Sequence, residues 1–146
     1  MIAYFDTSAL LKRLFDEPGS EVADEVWEAA DVVVASELVY PEARAATAAA
    51  HRAGRIDARQ LRERICKLEQ MYSTVKVVRV DDDLSGAAGG LAEQYELRGY
   101  DAVHLASVLS VEAPRVVMIT WDRDLAVAST ANGVAVVPQQ SSQACV

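Results

Sequence analysis

The sequence has little that would cross-link a fold or anchor it in a membrane. Cysteine occurs only at Cys66 and Cys145 in 146 residues, and the two do not have the spacing of a zinc site. We therefore expect free thiols in a reducing compartment. No apolar run approaches the roughly 20 residues of a membrane helix, and no basic segment followed by an apolar one opens the chain. These absences predict a cytoplasmic protein without membrane spans.

Positive charge is also scarce. The chain has 14 Lys and Arg residues against 22 Asp and Glu residues, which gives a formal net charge of −8. Proteins that hold nucleic acid by overall charge are usually basic, so the composition argues against that mode of binding. It is compatible with an acidic site that binds phosphate after taking up a cation, and with a basic protein partner.

Five short runs rich in β-branched residues have the length and apolar character of strands buried on both faces. They are Ile2–Phe5, Val32–Ala35, Val75–Val80, Arg115–Thr120 and Val134–Val137. Helical patterns cover residues 8–15, 20–29, 36–53, 57–72, 83–97, 101–111 and 124–131. This alternation predicts a single α/β domain over residues 1–138. The polar residues 139–146 are predicted to form a loose tail.

Two aspartates stand where predicted strands end. Asp6 follows the first strand directly, and Asp122 follows the fourth, with Asp124 two residues later. Ligands of open α/β sheets bind beyond the carboxyl ends of the strands, so these carboxylates are candidates for a site. Each also suits the N-cap of the helix that follows, and this competing interpretation is strongest for Asp124.

Two further carboxylates interrupt apolar helical patterns. They are Glu42 and Asp101, and neither has an evident basic partner on its own helical face apart from Arg44 near Glu42. A buried carboxylate without a partner needs a cation, a donor or a proton. Four such carboxylates at one edge would form an oxygen-only site suited to Mg²⁺ or Mn²⁺.

Four segments together resemble the successive signatures of PIN domains, and more narrowly those of VapC-type toxins. They are Tyr4–Leu10, Ser36–Glu42, Asp101–Ala106 and Thr120–Leu125. Each segment is weak evidence alone, but they occur in order over residues 1 to about 138. We therefore expect a PIN-like domain with a mostly parallel five-stranded sheet in the order 3-2-1-4-5, flanked by helices.

The resemblance implies a metal-dependent endoribonuclease that is the toxin of a toxin–antitoxin pair and uses Mg²⁺ or Mn²⁺. The residues it assigns to the acidic site are Asp6, Glu42, Asp101 and Asp122, with Asp124 as a further ligand through water. Three aspartates would hold the metal, and Glu42 would position the water or a second ion. Ser8 and Thr120 match hydroxyl residues that orient the carboxylates.

The same resemblance implies partners. A small VapB-like antitoxin would insert a basic or aromatic side chain near the carboxylates, and the chain would form a homodimer that pairs again into a heterotetramer or larger complex. The apolar face of the first two helices is the predicted antitoxin surface; its residues are Leu11, Leu14, Phe15, Val22 and Val26.

Six of the fourteen basic side chains fall within residues 52–67. Such a run is usually a solvated helix face. The alternative is an RNA track beside an acidic site, formed by Arg52, Arg55, Arg59 and Arg62. Two other polar features are predicted to be structural: His104 as a hydrogen-bonded histidine, and the 81–83 aspartate run as a strand end and helix start.

Three other functions fit part of the pattern. A haloacid-dehalogenase-type phosphotransferase also has an aspartate after its first strand, but it needs a second one where Ser8 stands, and a lysine later than Lys76. A phospho-accepting receiver domain lacks the same late lysine. The other candidate is a catalytically degenerate PIN module that binds RNA or protein. Retention of all four acidic positions argues against that module, and metal binding distinguishes it from an enzyme.

Overall fold

The computed structural model describes residues 1–139. Within this range strands alternate with single helices or helix pairs. The elements are β1 (Ile2–Phe5), α1 (Thr7–Leu14), α2 (Ser20–Ala29), β2 (Val32–Ser36), α3 (Val39–Arg52), α4 (Ala58–Tyr72), β3 (Lys76–Val78), α5 (Asp82–Tyr95), α6 (Gly99–Leu109), β4 (Val116–Ile119), α7 (Arg123–Ala131) and β5 (Ala135–Val137). The predicted tail beyond residue 139, with Cys145, lies outside the described residues.

The five strands form one sheet in the order β3-β2-β1-β4-β5, and every pairing in it is parallel. The predicted order 3-2-1-4-5 is confirmed. Ile2 of the central strand lies opposite both Val32 and Val116, which fixes the register of β1 against its two neighbours. The strand order reverses between β1 and β4, so the crevice at which such sheets bind ligands lies at their carboxyl ends.

The core lies on both faces of the sheet, which explains why the strands are apolar throughout. On one face Leu105 of α6 and Leu125 of α7 pack with Met118 of β4. On the other face Leu10 of α1 and Leu68 of α4 pack in a second cluster. Because helices cover both faces, polar side chains can reach solvent only at the edges of the sheet and at the ends of its strands.

Several boundaries differ from the prediction by one to three residues, as is usual at element ends. Helix α3 begins at Val39 rather than at residue 36, because Glu37 is tied into a turn: its side chain accepts a hydrogen bond from Val80 N at 2.7 Å. Helix α6 begins at Gly99, two residues before the predicted start, and this places Asp101 in its first turn.

Aspartate side chains begin four of the helices. Asp57 caps α4 in a capping box with Gln60, and Asp81 caps α5, which confirms the structural interpretation of the 81–83 run. The other two caps, Asp6 and Asp122, stand at the carboxyl ends of β1 and β4. In the part of the chain that the structure describes, no helix is both long and apolar enough to cross a membrane.

Candidate active site

Asp6 is buried at the carboxyl end of β1, with 3% of its surface exposed. Its Oδ1 accepts hydrogen bonds from Ala9 N at 2.8 Å and from Ser8 Oγ at 2.7 Å, and its Oδ2 accepts one from Thr120 Oγ1 at 2.6 Å. Asp6 therefore caps α1 and also lies at the predicted ligand edge. Burial raises the pKa of Asp6 although these donors favour the charged form.

Asp122 stands at the corresponding end of β4, beside Asp6. Its Oδ1 accepts a hydrogen bond from Leu125 N at 2.8 Å, so Asp122 is the cap of α7. Its backbone N donates to Thr120 Oγ1 at 3.0 Å, and the same hydroxyl donates to Asp6. Thr120 thus links the two carboxylates. Asp124 is exposed in the first turn of α7 and is not the cap.

Asp101 is paired with a basic residue, which the sequence interpretation had not assigned to it. Arg98 Nε donates to Asp101 Oδ2 at 2.7 Å, and Arg98 Nη2 donates to Asp122 Oδ2 at 2.9 Å. The prediction that Asp101 lacks a basic neighbour is therefore wrong. Arg98 lies three residues earlier, at the N-cap of α6, a spacing at which side chains of a helix meet.

Asp101 and Arg98 differ in burial, and their pKa values respond to this difference. The Asp101 side chain is 9% exposed and the Arg98 side chain 62%. Burial raises the pKa of Asp101, and the nearby Asp122 charge acts in the same direction, while Arg98 opposes both. The hydrogen bond to Asp101 raises the pKa of Arg98 further above its ordinary value. Asp101 thus carries a charge that its surroundings only partly compensate.

Glu42 lies near the start of α3 and is also bonded. Its Oε1 accepts a hydrogen bond from Thr7 Oγ1 at 2.9 Å and lies 2.9 Å from His104 Nε2. The opposite ring nitrogen, His104 Nδ1, is 3.0 Å from Tyr4 OH, which accepts a hydrogen bond from Ser36 N. The interpretation of His104 as a hydrogen-bonded histidine is confirmed, and its partner Glu42 lies on a different helix.

The hydrogen-bonding roles in this chain follow from the carboxylate. An ionised Glu42 can only accept, so the proton of a neutral His104 ring must lie on Nε2. Nδ1 is then an acceptor, and Tyr4 OH donates to it. Burial raises the pKa of Tyr4, which keeps its hydroxyl protonated for this role. The network fixes Glu42 through Oε1, while Oε2 accepts no hydrogen bond from residues 1–139.

The four predicted carboxylates thus belong to one region at the carboxyl ends of the strands. Thr120 links Asp6 to Asp122, Arg98 links Asp122 to Asp101, and Glu42 is bonded to a residue one turn beyond Asp101 on α6. All their donor atoms are hard oxygens, the kind Mg²⁺ and Mn²⁺ prefer. Among residues 1–139, however, no three Asp, Glu, His or Cys side chains are gathered closely enough to hold an ion as they stand. The cation between Asp101 and Asp122 is a guanidinium.

The basic run occupies the end of α3, the following turn and the first half of α4. Its predicted RNA-contacting residues are all exposed; they are Arg52, Arg55, Arg59 and Arg62. Arg59 forms an ion pair with Glu63 at 2.9 Å, as a solvated helix face would. Within the described chain, none of the other three has an acidic side chain within 4.0 Å.

The predicted antitoxin surface on α1 and α2 is half-buried at four of its five residues, which are Leu11, Phe15, Val22 and Val26. Leu14 is 5% exposed and belongs to the core, and Leu11 and Phe15 pack against the same cluster. Val26 packs against the cluster around Phe5. This apolar face therefore packs in part against the chain's own core, and its use as an antitoxin surface stays a prediction.

Comparison with known proteins places this arrangement in context. The sequence pattern that defines the PIN domain matches residues 3–130. The chain is 40% identical over 139 residues to ribonuclease VapC45 of Mycobacterium tuberculosis strain CDC 1551, covering 95% of this chain and 96% of that protein. It has the same identity and coverage with ribonuclease VapC49 of strain H37Rv.

Solved structures share the fold. FitAcB from Neisseria gonorrhoeae superposes with a TM-score of 0.70 at 17% identity, covering 93% of this chain and 96% of that one. A chain of a toxin–antitoxin complex from Klebsiella pneumoniae superposes with a TM-score of 0.61 at 22% identity, covering 85% of this chain and 90% of that one. At these identities the likeness concerns the fold alone.

Proposed function

Because this chain belongs to the PIN-domain family, and within it to the VapC-type toxin ribonucleases, we propose that its acidic site hydrolyses RNA phosphodiester bonds with Mg²⁺ or Mn²⁺. VapC nucleases of this family generally depend on a divalent metal. Asp6, Asp101 and Asp122 would hold the ion once their side chains lie closer together than they stand here. The observation that carries the proposal is the pair of buried carboxylates, Asp6 and Asp101, whose pKa values burial raises.

A raised carboxylate pKa means that the ionised form lacks sufficient compensation in the fold alone. A divalent ion supplies that compensation. When bound, it lowers the pKa of a coordinated water and neutralises charge on the phosphate under attack. The donor set supports this choice of ion, since it consists of carboxylate oxygens. A bound ion would also make an acidic protein attractive to RNA at this one place.

The remaining polar side chains have supporting roles in this proposal. Thr120 and Ser8 hold Asp6 in orientation through their hydroxyl donors. Glu42 is fixed through Oε1 and therefore presents Oε2 to the reacting water, from which it accepts a proton, or to a second ion. Asp124, which is exposed, acts at most through a bound water.

The basic run provides a route for the RNA strand. Helix α4 ends at Tyr72, just before β3 begins, so its first half points toward the carboxyl edge of the sheet. The helix spans about 22 Å, and its buried residues, Leu68 and Met71, are both in the second half. Arg55 and Arg62 therefore lie on a projecting helical pair on the side of the site, where they contact backbone phosphates.

A small VapB-like antitoxin that covers the carboxylates is the proposed partner. A toxin–antitoxin complex among proteins of the same fold supports this, as does the strongly acidic composition, which favours a basic partner segment. The chain forms a homodimer in the cytoplasm and a heterotetramer or larger assembly with the antitoxin. Co-purification from cells that express both chains, followed by light scattering, tests the stoichiometry.

A catalytically degenerate module is the second candidate. The observation that favours it is the Arg98 guanidinium between Asp101 and Asp122, because a site that has lost its metal needs such a counter-ion. Calorimetric titration with Mn²⁺ separates the two functions. A nuclease binds the ion at a defined stoichiometry that Asp6→Asn weakens, whereas a degenerate module shows only weak surface association.

Cleavage of total RNA by purified, antitoxin-free protein tests the proposal. Reactions contain Mg²⁺, Mn²⁺ or EDTA, and each is repeated with Asp6→Asn, which retains an N-cap. Discrete products that require the metal and disappear in the variant support the function, and sequencing their ends identifies the target. If folded Asp6→Asn cuts at the wild-type rate, the proposed site is wrong.

A further inference from the structure

Arg98 is the one feature of the site for which the proposed reaction has no use as it stands. Its guanidinium bridges Oδ2 of Asp101 at 2.7 Å and Oδ2 of Asp122 at 2.9 Å, and both carboxylates are proposed metal ligands. A guanidinium and a divalent cation repel each other, so Arg98 and the metal compete for this pair of carboxylates.

The Arg98 contacts are of a kind that exchanges readily. The Arg98 side chain is 62% exposed, so solvent screens its end of both contacts and water can replace it there. Both bonds end on single oxygens of different carboxylates, so the guanidinium does not form the bidentate pair that holds arginine most firmly. The two bonds place the positive charge of Arg98 beside the negative charges of Asp101 and Asp122, and the fold does not require them.

While it bridges the two carboxylates, the Arg98 guanidinium also lies over an aromatic ring. The Arg98 guanidinium carbon lies 4.8 Å from the centre of the Tyr100 ring. Tyr100 is 44% exposed and is one of the few large apolar side chains on the described surface. Stacking on the ring keeps the guanidinium near the carboxylates while its N–H groups turn outward.

We propose that Arg98 binds an RNA phosphate, and that it exchanges Asp101 and Asp122 for that phosphate when the divalent cation enters. The guanidinium fork can donate two parallel hydrogen bonds to two oxygens of one phosphate. On the carboxylates it donates one bond to each of two different groups. In a chain of net charge −8, this supplies positive charge beside the metal. The inference rests on the proposed function, because the cation and the phosphate are those of that reaction.

The first test is a calorimetric Mn²⁺ titration without RNA. Arg98→Gln removes the competing cation, so its affinity for Mn²⁺ should exceed that of the wild type by about fivefold or more, the scale of ordinary coupling between sites. Arg79→Gln is the matched control, since Arg79 also forms an exposed ion pair, with Glu37, and its loss changes the net charge equally. An unchanged affinity in Arg98→Gln would overturn the exchange.

The second test is RNA binding in the presence of Mn²⁺, measured by fluorescence anisotropy with a labelled mixed-sequence RNA oligonucleotide. Glu42→Gln serves as the background, because it prevents cleavage and leaves the three aspartates intact. Adding Arg98→Gln should weaken binding about tenfold, as expected for a lost bond to a charged group. The slope of log affinity against log salt should fall by about 0.7, the value for one contact to a single strand.

Arg98→Lys refines the interpretation, because it keeps the charge but loses the fork, and should recover only part of the RNA affinity. Tighter Mn²⁺ binding with unchanged RNA affinity would reduce Arg98 to a counter-ion and overturn the phosphate role.

If the wild type itself binds no Mn²⁺, the proposed function fails. That outcome differs from failure of the Arg98 inference, in which the wild type binds Mn²⁺ and the variant binds it equally. Thermal melting confirms that each variant is folded.

Discussion

His104 Nε2 lies 2.9 Å from Glu42 Oε1, and this contact joins a buried ring on α6 to a carboxylate on α3. The ring is 2% exposed and is oriented from behind by Tyr4 OH at 3.0 Å. The buried part of the site therefore determines which Glu42 oxygen is available. Glu42 Oε1 is held by hydrogen bonds within the fold, and Glu42 Oε2 is the oxygen available to the reaction.

Replacing His104 should impair cleavage without unfolding the chain. His104→Leu removes the donor to Glu42 and should lower the Mn²⁺-dependent cleavage rate by about 10–100-fold, the usual cost of losing a residue that orients a ligand. His104→Gln places an amide donor near the Nε2 position and should recover most of the rate. Initial rates on total RNA measure both variants, with circular dichroism to verify folding. Equal losses in the Leu and Gln variants would contradict the orienting role.

Asp6→Asn should stabilise the metal-free protein at neutral pH. Because the folded-state pKa of Asp6 is raised, its contribution to stability is largest below the ordinary aspartate pKa and is lost as the pH rises through the raised value. Removing the ionised group should therefore raise the melting temperature at pH 8 in EDTA by roughly 2–5 °C. The gain should vanish near pH 4, where Asp6 is protonated.

The control for the Asp6 experiment is Asp16→Asn, an exposed aspartate just after α1, which should not show this pH-dependent gain. Adding Mn²⁺ at pH 8 should make the wild type melt at a higher temperature than Asp6→Asn, because the ion binds and stabilises the native wild type. An Asp6→Asn variant that is less stable than the wild type in EDTA at pH 8 would mean that the hydrogen bonds to Asp6 outweigh its burial.

Arg62 should contribute to RNA affinity through its charge alone. Arg62→Gln in the Glu42→Gln background should reduce the slope of log affinity against log salt by about 0.7, whatever the RNA sequence. Arg115→Gln is the matched control, since Arg115 is equally exposed but precedes β4 at the opposite edge of the sheet. Equal slopes in the Arg62 and Arg115 variants would identify the basic run as a solvated helix face.

Most strand bounds were predictable because the sheet is buried on both faces, whereas the strand order was implied by the resemblance to PIN domains. A strand covered on both sides must be apolar throughout, so β1 and β4 are visible in the sequence with errors of at most one residue at each end. The aspartates that follow them are visible for the same reason, since each is the first charged residue after an apolar run.

The partners of the carboxylates were less predictable. Arg98 was missed because the predicted helix began at Asp101, which left Arg98 in a loop; a start at Gly99 makes Arg98 the N-cap, one turn from Asp101. The contact between His104 and Glu42 spans 62 residues, and no local spacing indicates it. Likewise, helical periodicity identified the apolar face of α1 and α2 but not how much of it packs into the chain's own core.

The most direct test of the metal site compares two aspartates in neighbouring positions. Asp122 and Asp124 stand two residues apart at the start of α7, but only Asp122 is bonded to Thr120 and Arg98. Asn caps a helix as well as Asp, so Asp122→Asn should fold normally. We would measure Mn²⁺-dependent cleavage of total RNA by both Asn variants. The account predicts that Asp122→Asn loses cleavage while Asp124→Asn retains most of it. Full cleavage by Asp122→Asn would contradict the metal site proposed here.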